Sequence, residues 1–200
     1  MYKGKPNYSK RTLICGVGCF DANYSRNIDK KTKKVYSDWD NMIRRCYYPK
    51  SLKNRESYNG CKVCDEWLSF VNFRIWHDSN YIEGYHLDKD ILVKGNKIYS
   101  PDTCCFVPQE INTLLISCKS HRGVLPIGVC VYGSRFQSYY WRKCNQVYLG
   151  VFDTPEEAFY AYKTAKEAYI KEVAQEYYDA GKITKRVYDA LVNYKVEITD

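Results

Sequence analysis

The sequence predicts an α+β chain in which a helical preamble and a ββα unit are followed by a three-stranded antiparallel sheet packed on one helix. Three observations carry this prediction. Apolar residues recur at helical spacing over 35–48 and again beyond Asp65. Residues 84–117 read strand, loop, strand, helix. Three strand-like runs, 126–132, 135–143 and 146–152, lead into a capped helix.

Taken in order, residues 1–34 are polar and basic and read as an N-terminal arm, with one strand in the apolar run Leu13 to Val17 beside Gly16 and Gly18. Over 35–48, Trp39, Met42, Ile43 and Cys46 fall on one helical face, and Pro49 ends the run. Residues 49–60 are a loop closing at Asn59-Gly60. A second helix starting near Asp65 directs Trp67, Phe70, Phe73 and Ile75 to a core. A strand from His86 to Leu92 meets a turn at Gly95-Asn96. A second strand, Cys104 to Val107, follows, and Pro108 opens the helix QEINTLLISC. The segment KSHRG at 119–123 marks a boundary.

Beyond it, Gly133-Ser134 and Cys144-Asn145 separate the three runs, the last of which carries Phe152 as a buried aromatic. Thr154 is placed to cap the following helix, Pro155 to open it and Glu157 to complete a capping box. That helix runs to about Asp179, before Gly181, with Ala158, Ala161, Tyr162, Ala165 and Ala168 toward the sheet. A short helix near 184–194 closes the chain. The expected organisation is a basic arm (1–34), a ββα domain with helical preamble (35–118), a sheet-and-helix domain (124–180) and a helical extension (181–200).

Hydrophobic residues make up 45% of the 200, enough for a core, which excludes a disordered chain. The net charge of +8 is uneven. Residues 1–53 hold thirteen Lys and Arg against four acids. Such a block suits a polyanion, because each phosphate contact releases counterions; a solvated tail is the alternative. The 21 tyrosines fit either a Tyr-rich core or an aromatic nucleic-acid face. Lys3 and Lys5 precede no apolar run, so no signal peptide is expected, and no stretch approaches the roughly 20 apolar residues of a membrane span. Ten scattered cysteines in a cytosolic setting point to packing or metal rather than disulfides. Cys61-x2-Cys64 is a zinc half-site spacing that Cys46 or Cys104-Cys105 could complete, with buried thiols as the alternative.

On the run 135–143, Arg135, Gln137, Tyr139, Trp141 and Lys143 alternate with Phe136, Ser138, Tyr140 and Arg142, so the two sets face opposite ways. The first set mixes cation, amide and aromatic groups that can meet phosphates, base edges and sugars. The stretch GVCVYGSRFQSYYWRKCNQVYLGVFDTPEEAFYAYKTAKEAY resembles an AP2 DNA-binding domain, through Gly128-Val129, Leu149 to Thr154, and the Glu157-Ala158 to Ala161-Tyr162 helix start. The resemblance implies a sheet laid in the major groove of duplex DNA, with Arg135, Gln137, Tyr139, Trp141 and Lys143 as its contacts. The first strand departs from the family in carrying few arginines.

The segment YHLDKDILVKGNKIYSPDTCCFVPQEIN resembles the HNH, or His-Me finger, proteins of tailed phages, which often precede an AP2 domain; YSDWDNMIRRCYY and CKVCDEWLSFVNF resemble the same family's preamble. The resemblance implies a homing-type DNA endonuclease, a hydrolase at work in the cytoplasm of an infected bacterial host. It implies Mg²⁺ or another divalent ion on Asp88 and Asn112, with Asp90 as a further carboxylate. Lys89 stands where the family has its histidine base, and lysine is a poor base near neutrality. His86 is the nearby substitute. A DNA-binding protein without cleavage is the alternative, and a factor that binds a host protein through a tyrosine-rich surface is a third reading.

Overall fold

In a computed structural model the described residues are 13–25, 27, 29–48, 58–116 and 124–200. They form a mixed α+β structure that divides into two compact units, 1–106 and 107–200. Much of the basic arm, including Lys3, Lys5, Lys10, Arg11 and Arg26, lies outside the described residues, as does the boundary expected at 119–123.

In the first unit, α1 spans Lys30–Tyr47. It starts five residues before the expected position, because Asp29 caps it: one carboxylate oxygen accepts from the Thr32 N–H at 2.7 Å and the other from the Thr32 hydroxyl at 2.8 Å. The charged run KKTKK therefore belongs to the helix and not to the arm. Val35, Trp39, Met42, Ile43 and Cys46 form the buried stripe. The Leu13 to Val17 run makes a turn rather than the expected strand. Ile14 pairs with Gly18, and Cys15 and Gly16 sit at φ 50° and 76° between them.

Strand β1 (Lys62–Val63) leads into a 3₁₀ turn, Asp65–Leu68, and then α2 (Phe70–Asn80). The single helix expected from Asp65 is thus broken at Ser69. That side chain caps α2 by accepting from the Asn72 N–H, and it donates its own hydroxyl to Asp21 at 2.6 Å. Phe70, Phe73 and His77 face inward from α2. Ile75, expected in the core, is 65% exposed, because it falls on the opposite side of that stripe. Trp39 and Trp67 are fully buried, the indole N–H of Trp39 donating to the Trp67 carbonyl at 2.7 Å.

Strand β2 is only His86–Asp88, short of the expected Leu92. β3 (Ile98–Tyr99) pairs parallel with β1, and β4 (Cys105–Val107) joins β2.

In the second unit, α3 (Gln109–Leu114) follows Pro108 and is shorter than the expected 109–118. The antiparallel sheet has the order β5 (Val129–Tyr132), β6 (Arg135–Arg142), β7 (Asn145–Phe152). The second hairpin turn falls at Lys143-Cys144, one residue earlier than expected, with φ 44° and 67°. Positive φ at two successive residues is the geometry of a tight two-residue hairpin. Long α4 (Pro155–Asp179) begins at the expected box: Thr154 Oγ accepts from the Glu157 N–H, and Glu157 reaches back to the Thr154 N–H, each at 3.2 Å. Its buried residues are Ala158, Phe159, Tyr162, Tyr169, Ile170, Val173 and Ala174. Ala161 and Ala165 are half-buried, while Ala168 is exposed, off the expected stripe. α5 (Lys185–Val192), capped by Thr184, packs Val187 and Leu191 inward. None of the described helices is long and apolar enough to cross a membrane.

Candidate nucleic-acid interface

Strand β6 divides its side chains between helix and open face. Ser138 and Tyr140 are buried, Tyr140 lying 5.8 Å from the Tyr169 ring of α4, and Arg142 pairs with Glu172 of α4. The alternating set Arg135, Gln137, Tyr139 and Trp141 faces away from α4. Residues directly opposite on neighbouring strands share a face, so the register extends this set. Tyr132 stands opposite Arg135, Cys130 opposite Gln137, Tyr148 opposite Tyr139 and Gln146 opposite Trp141. Tyr132, Trp141 and Tyr148 are each about 60% exposed. The result is one open surface of aromatic rings and amides with a single strand guanidinium. Tyr132, Tyr148 and Gln146 were not among the expected contacts; the two tight turns, read as registers, point to them.

Two features set the charge of this surface. Lys143 does not join it: the turn backbone carries its ammonium toward α4, 3.4 Å from Glu176. Arg135 does, with its Nε 2.7 Å from the Asp153 carboxylate. The Arg135–Asp153 pairing depends on a bulge. The register shifts between Ser138 and Tyr139, so that Leu149 is the extra residue and Gly150 and Phe152 stand opposite Ser138 and Phe136. Phe152 is half-buried at the sheet end, not the core aromatic expected. Of the described basic residues in the first quarter of the chain, Lys30, Lys31, Lys34 and Arg44 are ion-paired with Glu83, Asp78, Asp38 and Asp40.

The other expected site residues are placed as follows. His86 is exposed on β2. Asp88 ends that strand by turning its carboxylate onto the chain: Oδ1 accepts from the Asp90 and Ile91 N–H groups, both at 2.7 Å. This local turn is why the strand stops. Burial raises the Asp88 carboxyl above its ordinary value despite those two bonds. Lys89 is 5% exposed, and its ammonium donates to both oxygens of Asp90, at 2.6 and 2.7 Å, and to the Asn96 carbonyl at 3.1 Å. Burial would lower its pKa, but the Asp90 carboxylate outweighs burial and holds it above the usual lysine value. An ammonium held this way keeps its proton near neutrality and ties the loop. Asn112 is half-buried on α3, in the second unit.

A divalent ion needs carboxylate oxygens that a cation does not already hold. Asp90 carries an ammonium on both oxygens and so has no carboxylate oxygen left for a metal, while Asp88 has Oδ1 engaged by two N–H groups. Among the described residues, no group of three or more His, Cys, Asp or Glu is placed to hold one. Cys46, Cys61 and Cys104 are buried and Cys64 half-buried. Burial pushes the Cys46 and Cys104 thiols up to about 12. Zinc binds the thiolate, which this apolar setting disfavours.

Compared with protein-family models, with curated proteins and with solved structures, the chain matches none.

Proposed function

We propose that the protein binds duplex DNA through the open face of its C-terminal sheet, in the manner of an AP2-like domain. The observation that carries this reading is the row Arg135, Trp141, Tyr132 and Tyr148, all exposed, with half-buried Gln137 among them, on a sheet whose other face is covered by α4. Amides and the guanidinium suit base edges and phosphates, and the exposed rings suit sugars and thymine methyls. The basic block of residues 1–53 adds a term that does not depend on sequence. In this reading the protein is phage-type, and its ββα segment serves as a docking element rather than a cutter, because Lys89 and Asp90 are committed to each other. The test is a mobility-shift titration on duplex DNA at rising salt. A shift that weakens steeply with salt and is reduced by Trp141→Ala supports the reading; no shift at low salt removes it.

The endonuclease reading calls for a divalent ion on Asp88 and Asn112. It is tested with the same preparation: supercoiled plasmid with Mg²⁺ or Mn²⁺, scored for nicks. We expect the plasmid to remain closed, and nicking that Asp88→Ala abolishes would reverse that expectation.

A further inference from the structure

A cleft of about 890 Å³ opens in the second unit, lined by α3, α4, the start of β5, the end of β6 and the turn after it. Its volume is in the range of small-molecule sites, roughly 300–1,000 Å³. Tyr140, Tyr162, Tyr169 and Tyr177 supply flat apolar walls, and Lys166 of α4 enters between them. Lys166 is half-buried, its ammonium 5.9 Å from the centre of the Tyr169 ring, with no ion-pair partner among the described residues. The two carboxylates on the same cleft are engaged by other groups of its lining. Glu176 pairs with Lys143, and Glu110 bonds Tyr177. Burial alone lowers the Lys166 pKa, the mark of an ammonium that has lost water and gained no counter-charge. A desolvated cation without a partner is costly, and an incoming anion removes that cost.

We propose that this cleft binds a small aromatic monocarboxylate, its ring between the tyrosines and its carboxylate on Lys166 Nζ. One uncompensated ammonium calls for one negative charge. Walls built from rings call for a flat apolar body, since offset and edge contacts between rings add to simple burial. The proposal does not rest on DNA binding: its charged group, Lys166, lies on α4, although Tyr139 and Trp141 of β6 also line the cleft.

The test is calorimetric titration of the full chain with 2-naphthoate and with its neutral isostere 2-naphthamide. Naphthoate should bind one to one, roughly tenfold or more tighter than the amide, as for a hydrogen bond to a charged group. Lys166→Met should erase that preference, leave amide binding unchanged and melt like the wild type, while Lys166→Arg should keep the preference. Equal affinity for the two compounds, an unchanged preference in Lys166→Met, or no binding of naphthoate at millimolar concentration would each overturn the proposal. DNA mobility shifts by Lys166→Met stay as in the wild type, which separates this outcome from failure of the DNA-binding reading.

Discussion

Gly128 lies with its Cα against the ring of Tyr162: a Cβ at that position would fall 2.0 Å from Cδ2 and 2.3 Å from Cγ. The backbone there is at φ +77°, a conformation that side chains other than glycine's resist. The last residue before β5 and the first turns of α4 are thus locked by the absence of one methyl group. Gly128→Ala should destabilise the second unit by about 3 kcal/mol, combining overpacking and backbone strain. Denaturant melts followed by tyrosine fluorescence measure it. Tyr162→Ala in the same chain should recover the overpacking part, so the double variant should lose less than the sum of the singles. A Gly128→Ala protein that melts like the wild type would show that the two do not meet.

For DNA, the register makes a graded prediction. Trp141→Ala and Tyr148→Ala should each weaken binding about tenfold, within the roughly 1–3 kcal/mol of a good base contact. Lys143→Ala should change little, because its ammonium is turned to Glu176. Asp153→Asn should strengthen binding and steepen its salt dependence, since it releases Arg135 for a phosphate. Equal loss from Lys143→Ala and Trp141→Ala would refute this facing of β6.

Acid stability has a named contributor in the first unit. Burial pushes the Asp38 carboxyl up, but hydrogen bonds from His77 and Lys34 outweigh it, so Asp38 titrates below its ordinary 3.8. A carboxyl depressed in the folded state stabilises the fold above the unfolded pKa, and this contribution is lost as pH falls through the folded value. Melting temperature should therefore drop as pH falls below about 4. Asp38→Asn should melt lower at neutral pH and show a shallower acid slope. An acid slope identical in the two proteins would sink this assignment.

Thiol chemistry should sort the cysteines. Cys144 is exposed in the second hairpin turn and should alkylate rapidly in the native protein at pH 8. Cys46 and Cys104, buried and pushed up to about 12, should react only on unfolding. Mass spectrometry after timed iodoacetamide treatment reads this directly. Fast native labelling of Cys46 or Cys104 would contradict their burial.

Several of these features could be read from residue order and several could not. The Thr154–Glu157 box is a local signature, complete within four residues, and it placed the start of α4 correctly. The β6 alternation is equally local. The start of α1 was missed because Lys30, Lys31, Lys33 and Lys34 carry no apolar period, and only the Asp29 cap reveals that they are helical. The break at Ser69 depends on Asp21, 48 positions away, which takes its hydroxyl. Lys89 reads as a displaced base from its place beside Asp88. Its partner Asp90 is adjacent in sequence, but its burial is set by tertiary packing that no local pattern encodes.

The bulge at Leu149 makes strand register a control on surface charge. Before it, even-numbered residues of β7 share the open face; after it, odd-numbered residues do, and Asp153 arrives opposite Arg135 for that reason. A regular ladder that kept Leu149 in the pairing would instead set Arg135 opposite Phe152. A hydrophobic ring would then replace the carboxylate beside the guanidinium, making the face more cationic without the substitution of any charged residue. The single unpaired residue thus ties the charge of this face to the register of β7.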